Sequence, residues 1–185
     1  MPLTYVILGS GGHTAEMCKI NQALLDTGNE ENAFLYQPIR YIVANSDETS
    51  QQHLLTQMPQ AKLDDFITVP RSRSVGQSWI SSIFTTLWAL AWSCWLIWRD
   101  QPQLLLCNGP GTCVPYCYAA YLWRLLGRLP RQTRIVFVES FCRVESLSLS
   151  GRLLMPIADM FVVHWPALAK RYENKQNLRY FGRLF

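Results

Sequence analysis

His13 stands directly behind Gly9-Ser10-Gly11-Gly12 and ahead of Thr14. An imidazole titrates near neutrality, so a histidine placed there can act as a general base. The glycines let the backbone turn tightly and approach a ligand, and a following helix offers free N–H groups to an anion. Gly11, Gly12 and Thr14 are therefore candidates for substrate contact. The run is not a full dinucleotide-binding G-x-G-x-x-G, and a helix-capping histidine has the same spacing. A second group is Asn108-Gly109-Pro110-Gly111-Thr112, a rigid turn whose Asn108, Gly109 and Gly111 are shaped for a phosphate or a sugar, or simply for a tight turn. A third follows a wholly apolar run: Glu139 and Ser140, then Arg143 and Glu145. A carboxylate there can take a proton or bind sugar hydroxyls, and Arg143 offers a fork of donors to phosphate. A Glu–Arg pair that merely orders the loop fits the same residues. The fourth group, Pro70-Arg71-Ser72-Arg73, sets two arginines among serines, as a diphosphate contact or a solvated loop.

These groups must be held by something, and the chain supplies it. Short β-leaning runs at 3–8, 40–44, 66–69, 104–107, 134–138 and 160–163 alternate with helix-like stretches at 14–26, 47–58, 79–98, 114–126, a segment ending near 154, and 167–172. Such alternation predicts a Rossmann-like α/β fold, a parallel sheet with helices on both faces. Ligands of these folds sit at the carboxyl ends of the strands, where all four groups fall. The chain of 185 residues suits one domain, 1–185, with 178–185 as a tail.

Composition narrows the function. Only 16% of residues are charged against 49% apolar, so either the core is large or some apolar surface meets a membrane or partner. The net charge of +4 is uneven: residues 1–119 sum to −3 and residues 120–185 to +7. A basic final third suits anionic head groups or phosphates. The six cysteines include no C-x-x-C pair, so they predict neither a zinc site nor a disulfide framework, and suit a reducing, cytosol-facing compartment. No signal peptide is expected, because a strand begins almost at once.

Residues 79–98 form an uncharged stretch holding five of the seven tryptophans. It is long enough to cross a bilayer. A crossing would part the first three strands from the last three, so a simple span is rejected. A core helix or a helix lying in the membrane interface remains, the latter with Trp88, Trp92 and Trp95 on one face. Tyr116, Tyr118, Tyr121 and Trp123, with Arg124, Arg128 and Arg131 beyond them, would extend that surface.

Taken together and in order, these motifs resemble a known family. They are Gly11-Gly12-His13-Thr14, Pro70-Arg71-Ser72-Arg73 with Gln77-Ser78-Trp79, Cys107-Asn108-Gly109-Pro110-Gly111-Thr112-Cys113, Val138-Glu139-Ser140 with Cys142-Arg143-Val144-Glu145, Ser148-Leu149-Ser150-Gly151 and Trp165-Pro166-Ala167-Leu168. The chain resembles, over roughly residues 5–185, the membrane-anchoring subunit of the eukaryotic UDP-N-acetylglucosamine transferase of dolichol-linked oligosaccharide synthesis. The resemblance implies the N-terminal half of a GT-B glycosyltransferase. It implies an acceptor, GlcNAc-diphosphate-dolichol, and a separate soluble catalytic subunit that carries the UDP-GlcNAc site. It also implies an inverting transfer, with His13 the first candidate for the base and Glu139 the second, and the cytosolic face of the endoplasmic reticulum as the place of work. Arg71, Arg73 or Arg143 would grip the diphosphate. The tail over 173–185, with Tyr180, Phe181, Leu184 and Phe185 as apolar anchors, would dock the partner. No cofactor, metal or nucleic acid is expected.

Family members usually begin with a transmembrane helix before the first strand, and this sequence opens on the strand. Either that anchor is missing from this version, or the tryptophan-rich helix and the basic surface hold the membrane, reversibly and with salt sensitivity. A stand-alone nucleotide-binding domain and a purely scaffolding subunit are the competing readings.

Overall fold

The computed structural model describes residues 3–25, 36–71, 78–109 and 111–182. Seven strands are found among them: β1 (Thr4–Ile7), β2 (Ile39–Ala44), β3 (Phe66–Val69), β4 (Leu104–Asn108), β5 (Arg134–Val138), β6 (Met160–Val163) and β7 (Leu178–Tyr180). Helices α1 (Gly12–Leu25), α2 (Glu48–Gln57), α3 (Trp79–Asp100), α4 (Cys113–Leu125), α5 (Leu149–Leu154) and α6 (Pro166–Arg171) connect them. The strands form one parallel sheet in the order β3-β2-β1-β4-β5-β6-β7. The expected Rossmann-like α/β architecture is therefore present. Leu178–Tyr180, read from the sequence as the start of a tail, is instead a seventh strand, because its backbone pairs with β6 at the sheet edge.

Both faces of the sheet are covered, which is why most strands read as unbroken apolar runs. Successive side chains point to opposite faces. Tyr5 and Ile7 join Leu105, Cys107, Ile135, Phe137 and Phe161 under α3, α4 and α5, whose Leu96, Ile97, Tyr116 and Leu154 close that layer. Val6 and Leu8 join Tyr41, Leu106, Val138 and Val162 on the other face, under Met17 and Cys18 of α1 and Leu54 of α2.

Helix α3 carries the chain from β3 at one sheet edge to β4 beside β1. It is long and apolar enough to cross a membrane. A helix that joins two strands of one sheet cannot also separate them across a bilayer, so topology excludes a span. Ser78 caps it, its hydroxyl accepting from the Ser81 N–H at 3.2 Å, and Gln101 ends it in the left-handed region at φ 46°. Its inner stripe of Ser82, Ala89, Ser93, Leu96 and Ile97 is buried. Small residues in that stripe let α4 approach closely, and the Trp123 indole N–H donates to the Cys94 carbonyl at 2.7 Å. The outer stripe holds Phe84, Leu87, Trp88, Trp92, Trp95 and Trp98, all exposed, with Trp88 at 63%. The Trp92 and Trp95 rings meet at a tilt of 49° with centroids 5.3 Å apart, and the Arg99 guanidinium lies 4.7 Å over Trp95. The tryptophans therefore face away from the core.

The proposed extension of that surface needs correcting. Tyr116 is buried, Trp123 is tucked under α3, and Arg124 pairs with Asp159 at 2.7 Å. On α4 it is Leu122, Leu125 and Leu126 that stand out to solvent, at the end of the helix.

Candidate functional site

Strand register brings the motifs together. Ile7 is level with Cys107, Asn108 with Val138, and Val138 with Val162. The loops after β1, β4 and β5 therefore leave the sheet side by side. Chain order reverses between β1 and β4, the crevice where folds of this kind bind ligands. A cleft of about 470 Å³ opens there, lined by Ser10, Gly12, His13, Glu16, Gly109, Ser140, Cys142, Arg143 and Ser148.

His13 lies in the first turn of α1, its side chain 32% exposed. Its Nδ1 is buried and lies 3.5 Å from Oε2 of Glu16, one turn along the same helix face. Glu16 is held from two other segments. Asn108 Nδ2 donates to Oε2 at 3.1 Å, and Ser140 Oγ and the Phe141 N–H reach Oε1 at 3.4 and 3.3 Å. Burial pushes the Glu16 carboxyl up, but the neighbouring His13 ring, with the Phe141 and Asn108 donors, outweighs it and holds the group below the usual carboxylate range. Asn108 also donates to the His13 carbonyl at 2.8 Å and is fully buried. Gly109, at φ +55°, lies against the His13 ring.

Other expected site residues take different places. Thr14 is buried, donating to the Gly9 carbonyl and sharing a 2.7 Å hydrogen bond with Ser50, so its hydroxyl ties the first loop to α2. Gly11 and Gly12 are exposed at the start of α1, and Gly111 is exposed with its carbonyl accepting from the Val114 N–H at 3.2 Å. Glu139 is only 1% exposed and turns away from the cleft. Its Oε1 accepts from the Ser140 N–H, and its Oε2 from the N–H and hydroxyl of Ser148, at 3.0–3.1 Å. Ser148 in turn caps α5 through the Gly151 N–H at 2.9 Å. Glu139 thus fixes the β5–α5 loop that presents Ser140 and Arg143. Arg143 is exposed at the cleft wall. Glu145 is exposed outside it, its carbonyl accepting from Arg171 at 2.9 Å. Arg71 lies at the same sheet edge two strands away, bonded to Ser46 at 3.1 Å. Arg73, Leu184 and Phe185 lie outside the described residues, while Tyr180 and Phe181 are exposed.

Sequence reasoning missed Glu16 and His164. His164 follows β6 and is buried beside the ring of Phe141 at 6.0 Å. Burial pushes its imidazole below the ordinary value, against the pull of Glu16 and Glu139. The signal for Glu16 was its i+3 spacing from His13; His164 had none. A larger hollow of about 580 Å³, lined in part by Leu147, Arg152, Met155 and Lys175, opens at the opposite sheet edge without a comparable pair of acid and base. No group of three or more His, Cys, Asp or Glu among the described residues is arranged to hold a metal.

Comparison with known proteins fits this geometry. The family described as "Oligosaccharide biosynthesis protein Alg14 like" matches residues 4–184. The chain is 42% identical over 189 residues to the mouse protein named UDP-N-acetylglucosamine transferase subunit ALG14, covering 97% of this chain and 81% of that one. It is 44% identical over 177 residues to the Schizosaccharomyces pombe protein of the same name, covering 92% and 79%. Among solved structures it is similar to MurG of Acinetobacter baumannii, with a TM-score of 0.61, 15% identity, and 90% of this chain against 43% of that one. A UDP-N-acetylglucosamine 2-epimerase gives 0.63 at 15% identity, with 98% and 48% covered. The chain spans less than half the length of either solved structure, and its fold is that of one half of a GT-B enzyme.

Proposed function

Because the chain belongs to the Alg14-like family of oligosaccharide biosynthesis proteins, we propose that it is the acceptor-binding subunit of a UDP-N-acetylglucosamine transferase. In this reading it binds GlcNAc-diphosphate-dolichol at the cytosolic face of the endoplasmic reticulum. It recruits a soluble subunit that binds UDP-GlcNAc, and the pair adds the second GlcNAc. The observation that carries the reading is the cleft at the β1–β4 reversal, where one wall holds His13 and another Arg143. Nδ1 of His13 is turned inward, which leaves its Nε2 edge for a sugar hydroxyl. The acceptor hydroxyl gives its proton there and attacks the anomeric carbon of GlcNAc from the face opposite UDP, inverting that centre.

Arg143 meets the acceptor diphosphate, with Arg71 along the same edge as a further contact and Arg73, two residues on in the sequence, as another. The backbone around Gly11, Gly12, Gly109 and Gly111 gives the sugar close approach. Glu139 supports this arrangement from behind the wall, and its burial favours His13 as the base. The outer face of α3, through Trp88, Trp92 and Trp95, rests in the lipid interface. Tyr180, Phe181, Leu184 and Phe185 dock the partner.

The test is transfer from UDP-GlcNAc to a GlcNAc-diphosphate lipid by the chain reconstituted with its donor-binding partner. His13→Ala is expected to lower turnover by about 10²-fold or more while co-purifying normally. Wild-type turnover by that variant would refute the base assignment.

A further inference from the structure

We propose that Glu16 is a positioning residue for His13: it holds the imidazole protonated at Nδ1, so that Nε2 takes the acceptor proton, and it stabilises the resulting imidazolium. The inference rests on the reading of His13 as the base.

The geometry is specific. Oε2 of Glu16 lies 3.5 Å from a buried Nδ1. The carboxylate is itself fixed by Asn108 at 3.1 Å, by Ser140 at 3.4 Å and by the Phe141 N–H at 3.3 Å, so it cannot swing away as the proton moves. All three of those donors are neutral, and the His13 ring lies within ion-pair distance of Glu16. Other groups bear on the pair: His164, which feels both Glu16 and Glu139, Lys19 on the same helix, and Cys142 and Arg143, which line the cleft with His13. Gly109, just after β4, presses on the ring and carries no charge.

The step balances. The acceptor oxygen forms its bond to the anomeric carbon as the bond from that carbon to the UDP phosphate oxygen breaks. UDP leaves with the electron pair, and the hydroxyl proton passes to Nε2. A carboxylate beside Nδ1 lowers the energy of the cation so formed and fixes the tautomer, the part played by the acidic member of a hydrolase triad. The sign of the pH effect follows. A negative neighbour favours the protonated form of a base, and Glu16 is held below the usual carboxylate range, so taking its charge away moves the acid limb of activity to lower pH.

The experiment measures kcat and KM for the lipid acceptor between about pH 5 and pH 9 in the reconstituted complex. Glu16→Gln, which keeps the shape and most of the hydrogen bonds, is expected to lower kcat roughly 10- to 100-fold with KM changed by less than about twofold. The acid limb of its profile should move to lower pH. Glu16→Asp keeps the charge, and should keep the limb and restore part of kcat. Wild-type kcat with an unmoved limb in Glu16→Gln would overturn the proposal. So would an equal loss at every pH with Glu16→Asp no better, since misfolding acts that way; thermal melts of each variant accompany the assay. Normal turnover by His13→Ala would remove the base reading and this role with it. An inactive His13→Ala beside a fully active Glu16→Gln would remove only the role of Glu16.

Discussion

Gly109 shows how narrowly the His13 ring is confined. A Cβ built there would lie 2.3 Å from Cε1 of His13, and the backbone is at φ +55°. Gly109→Ala is expected to displace the ring and cut turnover far more than it cuts stability. Gly11 has a similar φ, +65°, but open space around it. Gly11→Ala should cost about 1 kcal/mol of stability and leave His13 in place. Denaturant unfolding run beside the transfer assay separates the two, and equal activity losses would contradict the difference. At this scale the sequence is legible where residue type and strand end coincide, as at His13 and Arg143. It places Glu139 at the correct edge but cannot say which way the side chain turns. Burial and three donors make that carboxylate a brace for its loop. Glu16 is illegible alone, because one carboxylate on a helix looks like any solvated one until Asn108 and Phe141 arrive beside it from other strands.

Helix α3 divides its two faces between two environments. The inner face meets α4 through small and branched residues, and the outer face presents Trp88, Trp92, Trp95 and Trp98 without cover among the described residues. Interfacial lipid is where indole rings are most favourable, since each has an apolar body and one N–H. The double variant Trp88→Ser/Trp92→Ser should float with liposomes markedly less than the parent chain while keeping its melting temperature, because both side chains lie outside the core. Undiminished flotation would count against the membrane face. The length and aromatic stripe of α3 were readable from spacing. The outward leucines of α4 and the pairing of β7 were not, since both depend on what a distant segment covers.

The whole molecule is one sheet whose centre joins distant parts of the chain: Ile7 of β1 pairs with Cys107 of β4. Alternating elements made that architecture legible, because a parallel sheet is the arrangement that buries so many short apolar strands on both faces. The seventh strand separates two deletions of the tail. Removing residues 179–185 would take most of β7, whereas removing 181–185 leaves it whole. The shorter deletion should weaken co-purification with the donor-binding subunit without lowering the melting temperature, and undiminished binding would discount the tail.

The β1–β4 pairing also sets an order of events during synthesis. The 22-residue α3 is complete at Asp100, but the sheet beneath it lacks its central neighbour until Asn108, and α4 ends only at Leu125. At ordinary ribosomal speeds that leaves roughly 1–5 s in which both faces of α3 are bare. For that interval the apolar inner stripe of a helix of membrane-spanning length has no partner helix, and the arrival of β4 and α4 ends its exposure.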